Sequence, residues 1–280
     1  MSNRQSMLAP NVSSPCITGA EIVTIALATK ILSVVASRVT DGRGTPQPDD
    51  GATEAHRESL VDELLSVVAS VNAVDRSSFL EHVEAFGITP EEVVDVYIPE
   101  AARRLGKQWE TDESSFTDVS IGTARLQSMV REISAEWRAD DASVANAPNI
   151  LMVVPQGEDH TLGVMVAACQ FRRLGVSVRM LLAQPDADVL SMAQSRPFDM
   201  IAVALSHADR IETVRKLIKM LKSSPVPMPQ VVVGGPMQSL RDDLKRVTGA
   251  DHICSDAADA LRLCGIRHGA RDASKMKDQV

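Results

Sequence analysis

Aromatic residues are scarce: five Phe, two Trp and one Tyr make up 3% of the 280 residues, beside twelve Met. The core must therefore be aliphatic, and a nucleic-acid platform of stacked aromatic rings is excluded. Basic residues are in deficit too. Lys and Arg number 29 against 37 Asp and Glu, a formal charge of -8, which opposes the counterion release that drives non-specific DNA binding. Cys16, Cys169, Cys254 and Cys264 form no C-x-x-C pair and sit singly in apolar stretches, as reduced core thiols do. Long apolar runs are missing as well. Lys30 and Arg38 interrupt the most membrane-like stretch, residues 22–39, which falls short of the roughly 18 to 20 apolar residues of a span. Arg4 is followed by no continuous apolar region with a cleavage site, so a cytoplasmic protein without a signal peptide is expected.

What is present, 44% apolar and 24% charged residues, is globular composition. Residues 1–53 read as an extension with one amphipathic helix over 20–39 and a flexible tether, DGRGTPQPDDG, over 41–51. From 54 to 140 apolar residues recur at helical spacing (Leu60, Leu64, Val67, Val68, Val71) without strand-like alternation, which predicts a bundle of about four helices. Gly87 ends one helix. Thr89, Pro90 and Glu92 form a capping-box start for the next, and Ser115 with Asp118 repeats it. Leu105 to Trp109 fall between these two helices on this reading, and Glu91, Glu92, Asp95 and Glu100 form a solvated face.

From 148 to 270 the pattern changes to short aliphatic runs alternating with amphipathic helices, which predicts a parallel α/β sheet of Rossmann-like (flavodoxin-like) type. Strands are expected at 149–154, 176–182, 200–205, 230–233 and 251–254, with helices following His160, Pro185, Ala208, Met237 and Asp256. The tail over 271–280 is polar and expected to be disordered. Ligands of such sheets sit beyond the carboxyl ends of the strands, where strand order reverses. That directs attention to the loops after the first, third and fourth strands. The first holds Glu158, Asp159, His160, Thr161, Leu162 and Gly163, an imidazole beside carboxylates that can fix its tautomer for metal ligation. The third ends Ala204, Leu205, Ser206, His207; the fourth ends Gly234, Gly235, Pro236. The other histidines, His56, His82, His252 and His268, show no metal-ligand spacing.

Together these loops resemble the cobalamin-binding Rossmann-like domain, with its D-x-H-x-x-G, its S-x-L after the third strand and its paired glycines after the fourth. The resemblance implies that His160 is the lower axial ligand of cobalt, that Gly163 makes room for the nucleotide tail, and that Gly234, Gly235 and Pro236 line it. It extends to Asp256 around the last strand. Glu158 stands where aspartate is usual, and the serine of S-x-L falls on Ala204, leaving Ser206 two residues on. Leu105, Gly106 and Trp109, then Ser115, Phe116, Asp118 and Val119, resemble the helical caps of light-sensing cobalamin regulators. This implies that Trp109, Glu110, Phe116 and Val119 face the corrin.

A mutase needs a barrel of about 250 residues, and a MerR-type regulator needs a basic helix-turn-helix that the N-terminal residues do not supply. What remains resembles the AerR/PpaA family of cobalamin-binding antirepressors. That resemblance implies a light-responsive, non-enzymatic regulator of photosystem genes whose partner is a repressor of the PpsR/CrtJ type, with no DNA reading of its own. Two alternatives stay open: a methyl-carrying corrinoid protein, and a haem sensor using His160 or His207 as axial ligand.

Overall fold

The computed structural model describes residues 50–70, 74–135, 137, 147–158, 160–235 and 241–267. The helix expected over 20–39, most of the tether and the tail over 271–280 lie outside these residues.

The first half folds as helices. They are α1 (Asp50–Ala69), α2 (Val74–Ala85), α3 (Pro90–Glu92), α4 (Ile98–Glu110) and α5 (Phe116–Ile133). A π turn over Val93–Tyr97 joins α3 and α4 into one rod, so four rods stand among the described residues. Pro99, near the start of α4, has no N–H to give the carbonyl of Asp95, and its ring crowds that carbonyl. The backbone widens by one residue instead, with the Ile98 N–H reaching the Val93 carbonyl. Both capping boxes form: Glu92 N–H donates to Thr89 Oγ1 at 3.2 Å, and Asp118 N–H to Ser115 Oγ at 3.1 Å. Gly87, at φ 75°, closes α2 as Ile88 N–H returns to the Val83 carbonyl.

The second half is a five-stranded, all-parallel sheet of β1 (Asn149–Val154), β2 (Ser177–Leu182), β3 (Met200–Ala204), β4 (Gln230–Gly234) and β5 (His252–Cys254), in the order β2-β1-β3-β4-β5. Each strand lies within one residue of its aliphatic run. The helices are α6 (Thr161–Arg173), α7 (Asp186–Ser195), α8 (Ile211–Lys222), α9 (Arg241–Thr248) and α10 (Ala257–Leu263). Alternation along β1 sends Leu151 and Val153 to the face covered by α7, α8 and α9, and Ile150, Met152 and Val154 to the face covered by α6 and α10. Carboxylates placed just before two strands pin the register. Asp199 Oδ2 accepts from Asn149 N–H, and Asp251 Oδ2 accepts from Val231 N–H, both at 2.7 Å. Among the described residues no helix is long and apolar enough to cross a membrane.

The two halves share α6. Its Leu162, Val166 and Cys169 are buried among bundle residues, with Val94, Ile98 and Leu126 in the same core. Asp95 pairs with Arg173, whose guanidinium also lies over the Trp137 ring at 4.7 Å. Two readings change here. Asp95 and Glu100 are not a solvated face: Asp95 fastens the bundle to α6, and Glu100 holds Arg103 and Arg104. Leu105 to Trp109 lie inside α4, not between helices, because Leu105 is buried against Gly122 of α5.

Candidate functional site

The strand order reverses between β1 and β3, so the loops that follow them lie side by side at the carboxyl edge of the sheet. After β1 the chain turns through Gly157, at φ 79°, where a Cβ would meet the Arg210 guanidinium at 2.7 Å. It then drops Glu158 into the interior and reaches His160 at the start of α6. After β3 come Leu205, Ser206 and His207.

Glu158 is 4% exposed. Its Oε1 lies 3.1 Å from His160 Nδ1 and accepts the His160 N–H at 3.1 Å, while Oε2 accepts the Ser206 N–H at 3.0 Å. Burial pushes this carboxyl up, but the His160 ring and the N–H groups of Ser206 and His160 outweigh burial and bring its pKa to about 2. Glu158 is therefore ionised and ties the β1 loop to the β3 loop. The His160 side chain is 51% exposed. With Nδ1 held by a carboxylate, Nε2 is the ligand atom it offers. His207 Nε2 stands 3.1 Å from His160 Nδ1 and 3.4 Å from its Nε2, the rings edge to face. Burial lowers the pKa of His207, and the neighbouring His160 lowers it further.

The structure distributes the other candidates. Thr161 Oγ1 accepts from Gln127 Nε2 of α5 at 2.9 Å, so the bundle reaches the residue next to His160. Leu162 is buried in the bundle core, and Val119 is partly buried against it. Gly163 is exposed, and a Cβ there would have no neighbour within 4 Å. Ala204 ends β3 opposite Gly234. At Gly235 a Cβ would lie 2.0 Å from the Leu205 carbonyl oxygen, so the approach of β3 requires this glycine. Asp256 is the N-cap of α10, accepting the Asp259 N–H at 2.7 Å. Trp109 is 43% exposed and meets Phe116, 70% exposed, edge to face at 6.3 Å. Glu110 follows at the end of α4, its carboxyl raised by partial burial. Asp159 and Pro236 lie outside the described residues. His207 is the site residue that sequence reasoning undervalued; its position after β3 becomes informative once β3 is known to neighbour β1.

Residues 148–264 match the B12 binding domain family. The chain thus joins a helical region to a five-stranded parallel α/β B12-binding domain. It is 35% identical over 176 residues to the "Uncharacterized 20.5 kDa protein in bchF-crtJ intergenic region" of Rhodobacter capsulatus, a match covering 63% of this chain and 92% of that protein. The chain belongs to the family of that protein. It is also similar to a solved cobalamin-binding protein from Desulfitobacterium hafniense (13% identity, 75% of this chain and 97% of that one, TM-score 0.38). A further similarity is to the methanol:cobalamin methyltransferase complex MtaBC from Methanosarcina barkeri (14% identity, 95% of this chain and 100% of that one, TM-score 0.39).

Proposed function

We propose that the protein is a cobalamin-binding, light-responsive regulator, not an enzyme, that relieves repression of photosystem genes by binding a PpsR/CrtJ-type repressor. The observation that carries the cofactor is the His160–Glu158 pair, an exposed imidazole whose tautomer is set by a buried, ionised carboxylate. The surroundings fit a corrin with a nucleotide tail: Gly163, one turn from His160, is exposed with open space beside it, and Gly235 leaves a side-chain-free floor beside β3. When bound, cobalamin would supply a cobalt centre with a ligand that light can exchange. His160 would ligate that cobalt, and Glu158 would keep the imidazole oriented.

Transmission follows from the shared helix. His160 begins α6, and α6 is gripped by the bundle through Gln127–Thr161, Asp95–Arg173 and the buried Leu162, Val166 and Cys169. A shift at His160 therefore shifts the equilibrium of the bundle, whose exposed Trp109 and Phe116 are suited to differential contact with a partner. The position of the Rhodobacter relative's gene beside crtJ supports the repressor as that partner.

The test is an absorption spectrum of the protein mixed in the dark with adenosylcobalamin or hydroxocobalamin, desalted, then illuminated, beside His160→Ala. Retained corrin that is lost or spectrally shifted in the variant, and a repressor affinity that changes with light, are the expected results. Corrin washed away with a Soret band on haem addition would replace this reading by a haem sensor. Equal repressor affinity with and without corrin would end the regulatory part.

A further inference from the structure

Glu158, His160 and His207 each offer a ligand atom, and these atoms lie within 4.8 Å of one another; no other such group of three or more exists among the described residues. His160 Nδ1 stands at the centre, 3.1 Å from Glu158 Oε1 and 3.1 Å from His207 Nε2. One hydrogen on that nitrogen cannot make two full-strength bonds, so once Nδ1–H is given to Glu158, His207 Nε2 is left only its longer, 3.4 Å contact with His160 Nε2. A cation at the junction serves all three. With metal–ligand distances of about 2.0 to 2.2 Å, a tetrahedral ion holds its ligands roughly 3.3 to 3.6 Å apart, a few tenths of an ångström beyond the two separations seen.

We propose that in the corrin-free protein Glu158, His160 and His207 form a binding site for a divalent transition cation of the zinc class.

The donor set, two imidazoles and a carboxylate, is one that Zn2+ and its first-row neighbours take and that Mg2+ and Ca2+ do not favour. The site is built rather than incidental. Glu158 is buried with its second oxygen fixed by the Ser206 N–H, and His207 is anchored as its carbonyl accepts the Arg210 N–H at 3.1 Å. The exposed side of His160 leaves room for water as the remaining ligand. The cation would take Nδ1, not the Nε2 assigned above to cobalt, and binding would release the Nδ1 proton to solvent. The site is complete without corrin and stands independently of the cobalamin reading.

The experiment uses the full-length, tag-free, corrin-free protein, stripped with chelator and titrated with Zn2+ by calorimetry and with Co2+ by visible absorption. One equivalent is expected, with the ligand-field band of Co2+ in a site of low coordination number. His207→Ala and Glu158→Gln should each weaken binding at least about tenfold. His82→Ala should leave it unchanged, because His82 and Glu63 form a surface pair with no third ligand among the described residues. Thermal unfolding of each stripped variant separates lost ligation from lost fold, and His207, in a loop, serves should Glu158→Gln unfold. Zn2+ binding no tighter than that of the double variant His160→Ala/His207→Ala, or unweakened in His207→Ala, overturns the proposal. Corrin retention by the wild type is read in parallel. Zn2+ bound without corrin sinks only the cobalamin reading, and corrin bound without Zn2+ sinks only this one.

Discussion

Glu158 and Ser206, 48 residues apart in the chain, are joined by a 3.0 Å hydrogen bond from the Ser206 N–H to Glu158 Oε2, and this bond ties together the loops that follow β1 and β3. The same carboxylate orients His160 through its other oxygen. Its removal has a pH signature. A carboxyl held near 2, below its ordinary value of 4.5, contributes stability that is complete above pH 4.5 and lost as pH falls through 2. Wild type and Glu158→Gln should therefore differ by as much as about 3 kcal/mol in unfolding free energy at pH 7. The gap should narrow steadily below pH 4.5. Urea unfolding at a series of pH values measures it; a gap independent of pH down to 2.5 would contradict the assigned ionisation.

Two glycines near the crevice separate structure from ligand. Gly235→Ala would press a methyl into the Leu205 carbonyl, with only backbone to give way, and should cost about 2 kcal/mol or more. Gly163→Ala meets nothing within 4 Å inside a helix and should leave the fold equal or more stable by up to about 1 kcal/mol. If the nucleotide tail crosses Gly163, the second variant is well folded yet poor in corrin. Melting curves and corrin retention on the same samples decide; a Gly163→Ala protein that keeps corrin at wild-type level removes this glycine from the site.

The seam between bundle and sheet predicts a large effect far from any ligand. Arg173 Nη1 is buried with no hydrogen-bond partner among the described residues, so the guanidinium depends on Asp95 as its ion-pair partner. Asp95→Ala should destabilise the chain by about 2 to 4 kcal/mol, since it leaves a half-buried guanidinium uncompensated. Replacing both, as Asp95→Ala with Arg173→Met, should recover much of that loss. Equal destabilisation in single and double variants would show that the pair contributes through packing alone.

The strands and capping boxes were legible because each depends on residues adjacent in sequence: aliphatic runs for β1 to β5, and Thr89–Glu92 and Ser115–Asp118 for the helix starts. His160 and Glu158 were legible for the same reason. What escaped depends on which elements become neighbours. His207 gains meaning only when β3 pairs with β1, and Asp95 only when the bundle seats on α6. Leu162 and Val119 occupy motif positions that suggest ligand contact, and helix packing also gives both a place in the bundle, Leu162 buried in its core and Val119 partly buried against it. The π turn could have been read from Pro99, whose missing N–H leaves the Asp95 carbonyl without its helical donor.

Trp109 and Phe116 make the last prediction, because their exposure is hard to explain by packing. Large aromatic rings at the end of α4 and the start of α5 add little to the bundle while they face solvent, so alanine at either position should change stability by no more than about 1 kcal/mol. Val119, one turn along α5 from Phe116, is packed against the bundle core and should cost more when truncated, although it belongs to the same sequence motif. If the aromatic pair covers bound corrin, Trp109→Ala and Phe116→Ala should lower corrin affinity severalfold at unchanged melting temperature, and Val119→Ala should lower melting temperature first. If the pair meets the repressor instead, corrin affinity stays constant while repressor affinity falls. Titrating corrin and then repressor into each variant separates the two roles, and wild-type values for both ligands in Trp109→Ala would leave this patch with neither.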